Sequence, residues 1–377
     1  MRGATFTRAV TILLGTVAAS ATPALGEHQP RPTPVLVEPD GTVHVPALAV
    51  PLSSYMSEQA KARFIEDTRR PPSSGARNID EIRRQFEEND RPRLERSRAL
   101  YAVDIREQRF GGVRTRVITP QREIPQRNRN RVLINLHGGA FAVGADLRGL
   151  IESIPVAGSG GMKVISVDYR QGPENRFPAA SEDVAQVYRE LLKTYQPRNI
   201  GIYGCSAGGV LAAMAVAWIE RQKLPTPGAV GIFAAGAFGG FYDPPAAPGS
   251  WGGDSRFTTP PLIGHKPIPA DPKQTAPSAS YLSGYLSHAD LSDPLVSPAL
   301  SPNVMARFPP TLLITGTRAY DMSAAVQTQR VLTKVGVEAD LHLWDGMGHC
   351  FFIDVDLPES QEAFAVMTKF FDTHLGN

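Results

Sequence analysis

The apolar pattern changes character at Val132. Before it, apolar residues recur at helical spacing in two stretches. Met56, Ala60 and Phe64 lie one face apart within 55–66, and Ile79, Ile82 and Phe86 do so within 78–89, where Asn78 offers an N-cap. Val103 to Gln108 then alternates, Gly111-Gly112 turns, and Val113 to Thr119 alternates again, which predicts a β-hairpin. From Val132 onward, short continuous apolar runs take over. Stretches 132–136, 164–167, 199–203, 229–233, 311–315 and 340–344 read as buried strands, and 179–195, 210–218, 323–335 and 360–374 as helices. Apolar strands alternating with helices predict an α/β fold, a mainly parallel sheet covered on both faces, with the hairpin as its antiparallel start.

Three stretches stand outside that alternation. Residues 1–26 carry Arg2 and Arg8, a short apolar run from Ala9 to Ala19, and small residues in Ala24-Leu25-Gly26, the pattern of a secretory signal peptide. The run is too short to span a bilayer, and no cysteine precedes Cys205 to carry a lipid. The expectation is export to the periplasm or the outside, with no stable membrane anchor. Residues 27–51 are proline-rich and read as an extended lead-in. Residues 241–298 open with Pro, Gly and Ser, then place Tyr281-Leu282 and Tyr285-Leu286 at helical spacing. A segment this long inside an α/β domain is expected to be a lid or a functional insertion.

Charge narrows the partners. The 39 Lys and Arg nearly balance 37 Asp and Glu, and removing residues 1–26 takes away two arginines and no acid, leaving the two signs equal. Such a balance argues against nucleic acid or an anionic membrane as partner. The histidines are scattered and no cysteine pair has ligand spacing, so neither a metal nor a cofactor is expected. What remains is a small-molecule substrate, with oligomeric state open.

The chemistry centres on Gly204-Cys205-Ser206-Ala207-Gly208, placed where a strand meets a helix. A serine on so sharp a turn is thrust above the sheet, with the free N–H groups of the helix start aimed at whatever reacts there. A serine hydroxyl needs a base, an acid to orient that base, and donors for an oxyanion. His349 lies in a glycine-rich loop past the final strand and is the candidate base. Asp321 closes the loop after the preceding strand and is the candidate acid, although an aspartate there also suits a helix N-cap. Asp345 is the second choice of acid. The order Ser206, Asp321, His349 is that of an α/β-hydrolase. Oxyanion donors are expected from the N–H groups of Gly138, Gly139 and Ala207, with His137 bracing the loop. Phe141, Tyr281 and Tyr285 are expected to contact substrate.

Taken together, the motifs resemble the hormone-sensitive-lipase-like family of serine esterases. The resemblance rests on His137-Gly138-Gly139-Ala140-Phe141, Asp168-Tyr169-Arg170-Gln171-Gly172-Pro173-Glu174, Phe177-Pro178-Ala179-Ala180, Cys205-Ser206-Ala207-Gly208-Gly209, Asp293-Pro294-Leu295-Val296-Ser297-Pro298, Tyr320-Asp321 and Gly346-Met347-Gly348-His349. It covers nearly the whole chain after residue 26. It implies an eight-stranded sheet, a core from 99–240 and 299–377, and a helical cap from 52–98 and 241–298. It also implies hydrolysis of short to medium acyl esters through an acyl-enzyme. The same triad serves lactonases and amidases, and some relatives keep the pocket but lose the chemistry.

Two positions depart from the family pattern. Ala140 replaces the glycine after the oxyanion pair, and Cys205 replaces the aspartate before the nucleophile. The only other cysteine is Cys350, next to the candidate base. Export permits a disulfide, which requires Cα atoms within about 7 Å; otherwise the pair are small packed residues beside the triad.

Overall fold

Val132–Leu136 sets four apolar side chains around Asn135 and is buried at every position, as a strand covered on both faces must be. The computed structural model describes residues 36–39, 43–44, 51–69, 78–239 and 284–376. It divides into two units, Met1–Pro51 and Leu52–Asn377. In the first, Leu36–Val37 pairs antiparallel with Val43–His44.

The second holds eight strands in one sheet: β1 (Val103–Phe110), β2 (Val113–Pro120), β3 (Val132–Leu136), β4 (Lys163–Val167), β5 (Ile200–Cys205), β6 (Ala229–Phe233), β7 (Thr311–Gly316) and β8 (Ala339–Trp344). Their order is β8-β7-β6-β5-β3-β4-β2-β1. Neighbours from β8 through β4 run parallel, and β1 and β2 form the antiparallel edge. The carboxyl ends of β3, β5, β7 and β8 therefore share one edge of the sheet, and the loops leaving them converge there.

Among the described residues the longer helices are α1 (Glu58–Arg69), α2 (Ile79–Leu100), α3 (Arg148–Gly160), α4 (Ala179–Leu191), α5 (Ala207–Arg221), α6 (Met322–Lys334) and α7 (Pro358–His374). Strand residues alternate between two cores because successive side chains point to opposite faces. Leu133, Tyr203 and Leu312 pack with α3 and α7; Ile134, Ile202 and Leu313 pack with α4, α5 and α6.

Three elements differ from the sequence expectation. Helix α3 is not among the expected helices because Gly149, Pro155, Gly158 and Gly160 within it are poor helix formers; its burial from Arg148 to Ala157 holds it in place. Helix α2 continues through Pro92 to Leu100. Asn78 does cap it, its side chain accepting the Glu81 N–H at 2.9 Å. The helical spacing at Tyr285 yields turns instead, since the Tyr285 carbonyl accepts the Phe177 N–H at 2.9 Å rather than a residue one helical turn on. Residues 1–26, most of 27–51 and 240–283, including Tyr281, lie outside the described residues. Among those described, no helix is long and apolar enough to cross a membrane.

Candidate active site

Ser206 follows the last residue of β5 and precedes the first of α5, with φ 59° and ψ −124°. A non-glycine residue holds such angles only where its surroundings enforce them. Here the enforcement is contact. A Cβ on Gly204 would lie 2.3 Å from the Gly208 carbonyl oxygen, and one on Gly208 would lie 1.8 Å from that of Leu136. Strand, turn and helix thus meet backbone to backbone, which is why both flanking positions are glycine.

The loops after β7 and β8 bring the other two residues to the serine. His349 Nε2 lies 2.9 Å from Ser206 Oγ, and its Nδ1 lies 2.6 Å from Asp321 Oδ1. A carboxylate only accepts, so Nδ1 carries the proton and Nε2 is left to accept from the serine hydroxyl. Asp321 is fully buried, and its Oδ2 accepts the Thr315 hydroxyl at 2.5 Å. It occupies the N-cap position of α6 but makes no side-chain cap bond; its oxygens are turned to His349 and Thr315 instead. The Tyr320 ring stacks on the imidazole, centroids 4.3 Å apart. Asp345 bonds to Ser53 and Thr317, not to His349.

On the opposite side of Ser206 lies the loop after β3. Gly139 sits at φ 122°, and a Cβ there would meet the Val143 carbonyl oxygen at 2.1 Å. Ala140 and Phe141 follow at φ 53° and 58°. Among the described residues no acceptor takes the N–H of Gly139 or Ala207. The expectation for Gly138 is corrected: its N–H donates to Glu152 Oε1 at 2.9 Å. A carboxylate so placed takes the donor the sequence reading reserved for an oxyanion.

The family model described as alpha/beta hydrolase fold matches residues 133–353. The chain belongs to the α/β-hydrolase fold family. This hydrolase is similar to an acetyl-hydrolase of Streptomyces hygroscopicus, 29% identical over 254 residues that cover 67% of this chain and 79% of the relative. It is also similar to the crystal structure of an esterase, E25, with TM-score 0.72 and 28% identity over 88% of this chain and 99% of that one. An esterase of the bacterial hormone-sensitive lipase family shares the fold, with TM-score 0.67 and 22% identity over 85% of this chain and 99% of the other. The hydrolase is therefore an enzyme of the esterase kind.

Several side chains hold the loop after β3. His137 is fully buried, and burial pushes its imidazole down to about 4. Neutral, it donates from Nδ1 to the Gly138 carbonyl at 2.8 Å and stacks on Tyr169 at 4.3 Å. It braces the loop and stands apart from the His349 pair. Arg83 of α2 donates to the carbonyls of Ala142 at 2.9 Å and Gly172 at 3.0 Å, and pairs with Glu174. Glu152 was not singled out in the sequence. Its signal is a lone acid in the apolar run Leu150-Ile151-Glu152-Ser153-Ile154.

The remaining expectations divide. Cys205 and Cys350 form a disulfide, Cα atoms 6.6 Å apart; they are not two separate packed thiols. Phe141 and Tyr285 are each 1% exposed and stack on one another at 4.7 Å. The Tyr285 hydroxyl accepts the Ala180 N–H at 2.7 Å. Both rings are built into the core behind the loop, because a stacked, hydrogen-bonded pair is stable without a ligand. The described residues contain no group of three His, Cys, Asp or Glu able to hold a metal ion.

Proposed function

We propose that the protein is a carboxylic-ester hydrolase in which Ser206 is the nucleophile, His349 the base and Asp321 the residue that orients it. The observation that carries this reading is the unbroken chain from Asp321 through His349 to Ser206, at 2.6 and 2.9 Å. Ser206 Oγ attacks the ester carbonyl carbon while its proton passes to His349 Nε2. The carbonyl oxygen takes the negative charge and lies against the N–H groups of Gly139 and Ala207. Collapse expels the alcohol, which takes the proton from His349, and leaves an acyl group on Ser206. Water then enters, His349 takes its proton, and the same oxyanion forms and breaks to release the acid. Asp321 keeps its charge throughout and balances the imidazolium.

We assign short to medium acyl esters as the substrates, a reading supported by the acetyl-hydrolase relative. We also propose export through residues 1–26. The disulfide supports it, because such bonds persist in oxidising compartments. Ser206→Ala should lower turnover of p-nitrophenyl esters by roughly 10⁴–10⁶-fold; activity surviving that change rejects the assignment. Running acetate to octanoate beside lactones and anilides identifies the bond cleaved, and faster turnover of a lactone or an anilide rejects the ester reading.

A further inference from the structure

The reaction above leaves one buried acid without a task. Glu152 of α3 is 4% exposed. Its Oε1 accepts the Gly138 N–H at 2.9 Å and its Oε2 accepts Asn135 Nδ2 at 3.2 Å. Asn135 in turn accepts the Ser166 hydroxyl at 3.1 Å. The charged and titratable groups around it offer no dedicated cation. Arg148 of α3 is clasped by Asp90 of α2 at 2.6 and 2.7 Å. His137 is neutral, and the Tyr203 hydroxyl of β5 donates to the Glu152 backbone carbonyl at 3.3 Å. The Tyr169 phenol is buried as well and stays uncharged. Burial accordingly pushes the Glu152 carboxyl up to about 7, with Arg148 pulling the other way.

Distance makes this matter. A Cβ on Gly138 would lie 3.3 Å from Glu152 Oε1 and 3.4 Å from Ser206 Cβ. The carboxyl oxygen is therefore within about 7 Å of the Ser206 Cβ.

We propose that Glu152 is the positioning residue of the oxyanion loop and that turnover requires its neutral form. The proposal rests on the Ser206 reading. In the neutral form the carbonyl oxygen still accepts the Gly138 N–H. Its O–H donates to the Asn135 carbonyl once that amide turns over, and the amide N–H₂ then donates to Ser166. The Gly138 N–H, the carboxyl and the amide stay bonded, and no charge faces the reacting oxygen. On ionisation the loop keeps its shape, but a negative charge stands within about 7 Å of the Ser206 Cβ, beside the carbon where a second negative charge develops. At an effective dielectric near 20 that repulsion alone is worth roughly 10- to 50-fold, and the imidazolium formed on His349 in the same step offsets part of it, leaving the tetrahedral oxygen disfavoured several-fold. The ester carbonyl of the bound substrate is neutral, so the loss falls on kcat and leaves KM nearly unchanged.

The test is the pH dependence of kcat and KM for p-nitrophenyl acetate between pH 5.5 and 9. The wild-type kcat should fall several-fold on the alkaline side, with KM constant within about twofold. Glu152→Gln keeps both hydrogen bonds and cannot ionise. It should show no alkaline fall and exceed the wild type several-fold at pH 9. Glu152→Ala releases Gly138 and should lower kcat about tenfold at every pH. A wild-type profile that stays level from pH 7 to 9 overturns the proposal, even if neither variant folds. So does a Glu152→Gln profile that falls in parallel with the wild type, and an unchanged kcat in Glu152→Ala removes the positioning role. Labelling of Ser206 by a fluorophosphonate separates this from the parent reading. Absent labelling rejects the serine mechanism, whereas labelling with a level alkaline profile rejects only Glu152.

Discussion

The disulfide ties the residue before Ser206 to the residue after His349, and removing it should cost both stability and rate. Cys205 and Cys350 are 145 residues apart in sequence. Closing a loop of that length removes about 5 kcal/mol of denatured-state entropy at 25 °C in the chain-entropy account. Both residues are almost wholly buried, so the double change Cys205→Ala, Cys350→Ala also leaves space where two sulfur atoms packed. Reduced wild type keeps the sulfurs and isolates the effect of the bond. Urea unfolding followed by tryptophan fluorescence should show a lower midpoint in both. It should also show a steeper dependence on urea, because the open denatured chain exposes more surface. Catalysis reports separately. The bond flanks the 2.9 Å contact between Ser206 and His349, and a misplacement of about 1 Å at a reacting pair lowers rate by roughly 100-fold. In buffer without urea, kcat should fall at least about tenfold with KM little changed. An unchanged midpoint and slope would mean that the bond does not constrain the unfolded chain. Lower stability with full kcat would show that Asp321 and the Thr317–Gly346 hydrogen bond hold the histidine unaided.

Other substitutions probe the remaining supports. Asp321→Asn presents an amide to His349 and favours the wrong tautomer, so kcat should drop about 10⁴-fold while circular dichroism stays native; a loss under tenfold would deny Asp321 its role. Gly139→Ala places a Cβ 2.1 Å from the Val143 carbonyl oxygen and should reduce kcat by about 100-fold or more as the loop shifts, measured on purified folded protein. Arg148→Met strands Asp90, which is 1% exposed. Arg93 stands 3.5 Å away as partial compensation, so unfolding should become easier by about 3 kcal/mol, checked by urea titration. Glu152 and His137 shift in opposite senses. The raised Glu152 adds stability below its ordinary 4.5 and loses it as pH rises through about 7. The lowered His137 adds stability above its ordinary 6.5 and loses it as pH falls through about 4. Each spans about 3 kcal/mol, and in the wild type they largely offset between pH 4.5 and 6.5. Glu152→Gln should unmask the histidine, making the fold lose about 3 kcal/mol between pH 6.5 and 4; equal acid sensitivity in the two proteins would contradict both shifts.

Much of this protein is legible in short windows of sequence. Strands β3 and β6 run where their apolar stretches run, Val132–Leu136 and Ala229–Phe233, because burial on both faces leaves no choice of residue type. The elbow is legible for a similar reason: Gly204 and Gly208 stand where any Cβ would strike backbone. Ser206, Asp321 and His349 lie after strands whose parallel pairing delivers their loops to one edge, so their meeting there could be read. Other features were settled only by residues meeting across the fold. Helix α3 forms despite Gly149 and Pro155 because tertiary contacts bury it from Arg148 to Ala157. Phe141 and Tyr285 became core because each found the other. The two cysteines, 145 residues apart, carry no local mark of being joined. Gly138 was claimed by a carboxylate 14 residues on, through a hydrogen bond that no periodicity or propensity encodes. Sterics and hydrophobic period act within a few residues, whereas the partner of a buried polar group is decided by whichever segment the finished packing brings beside it.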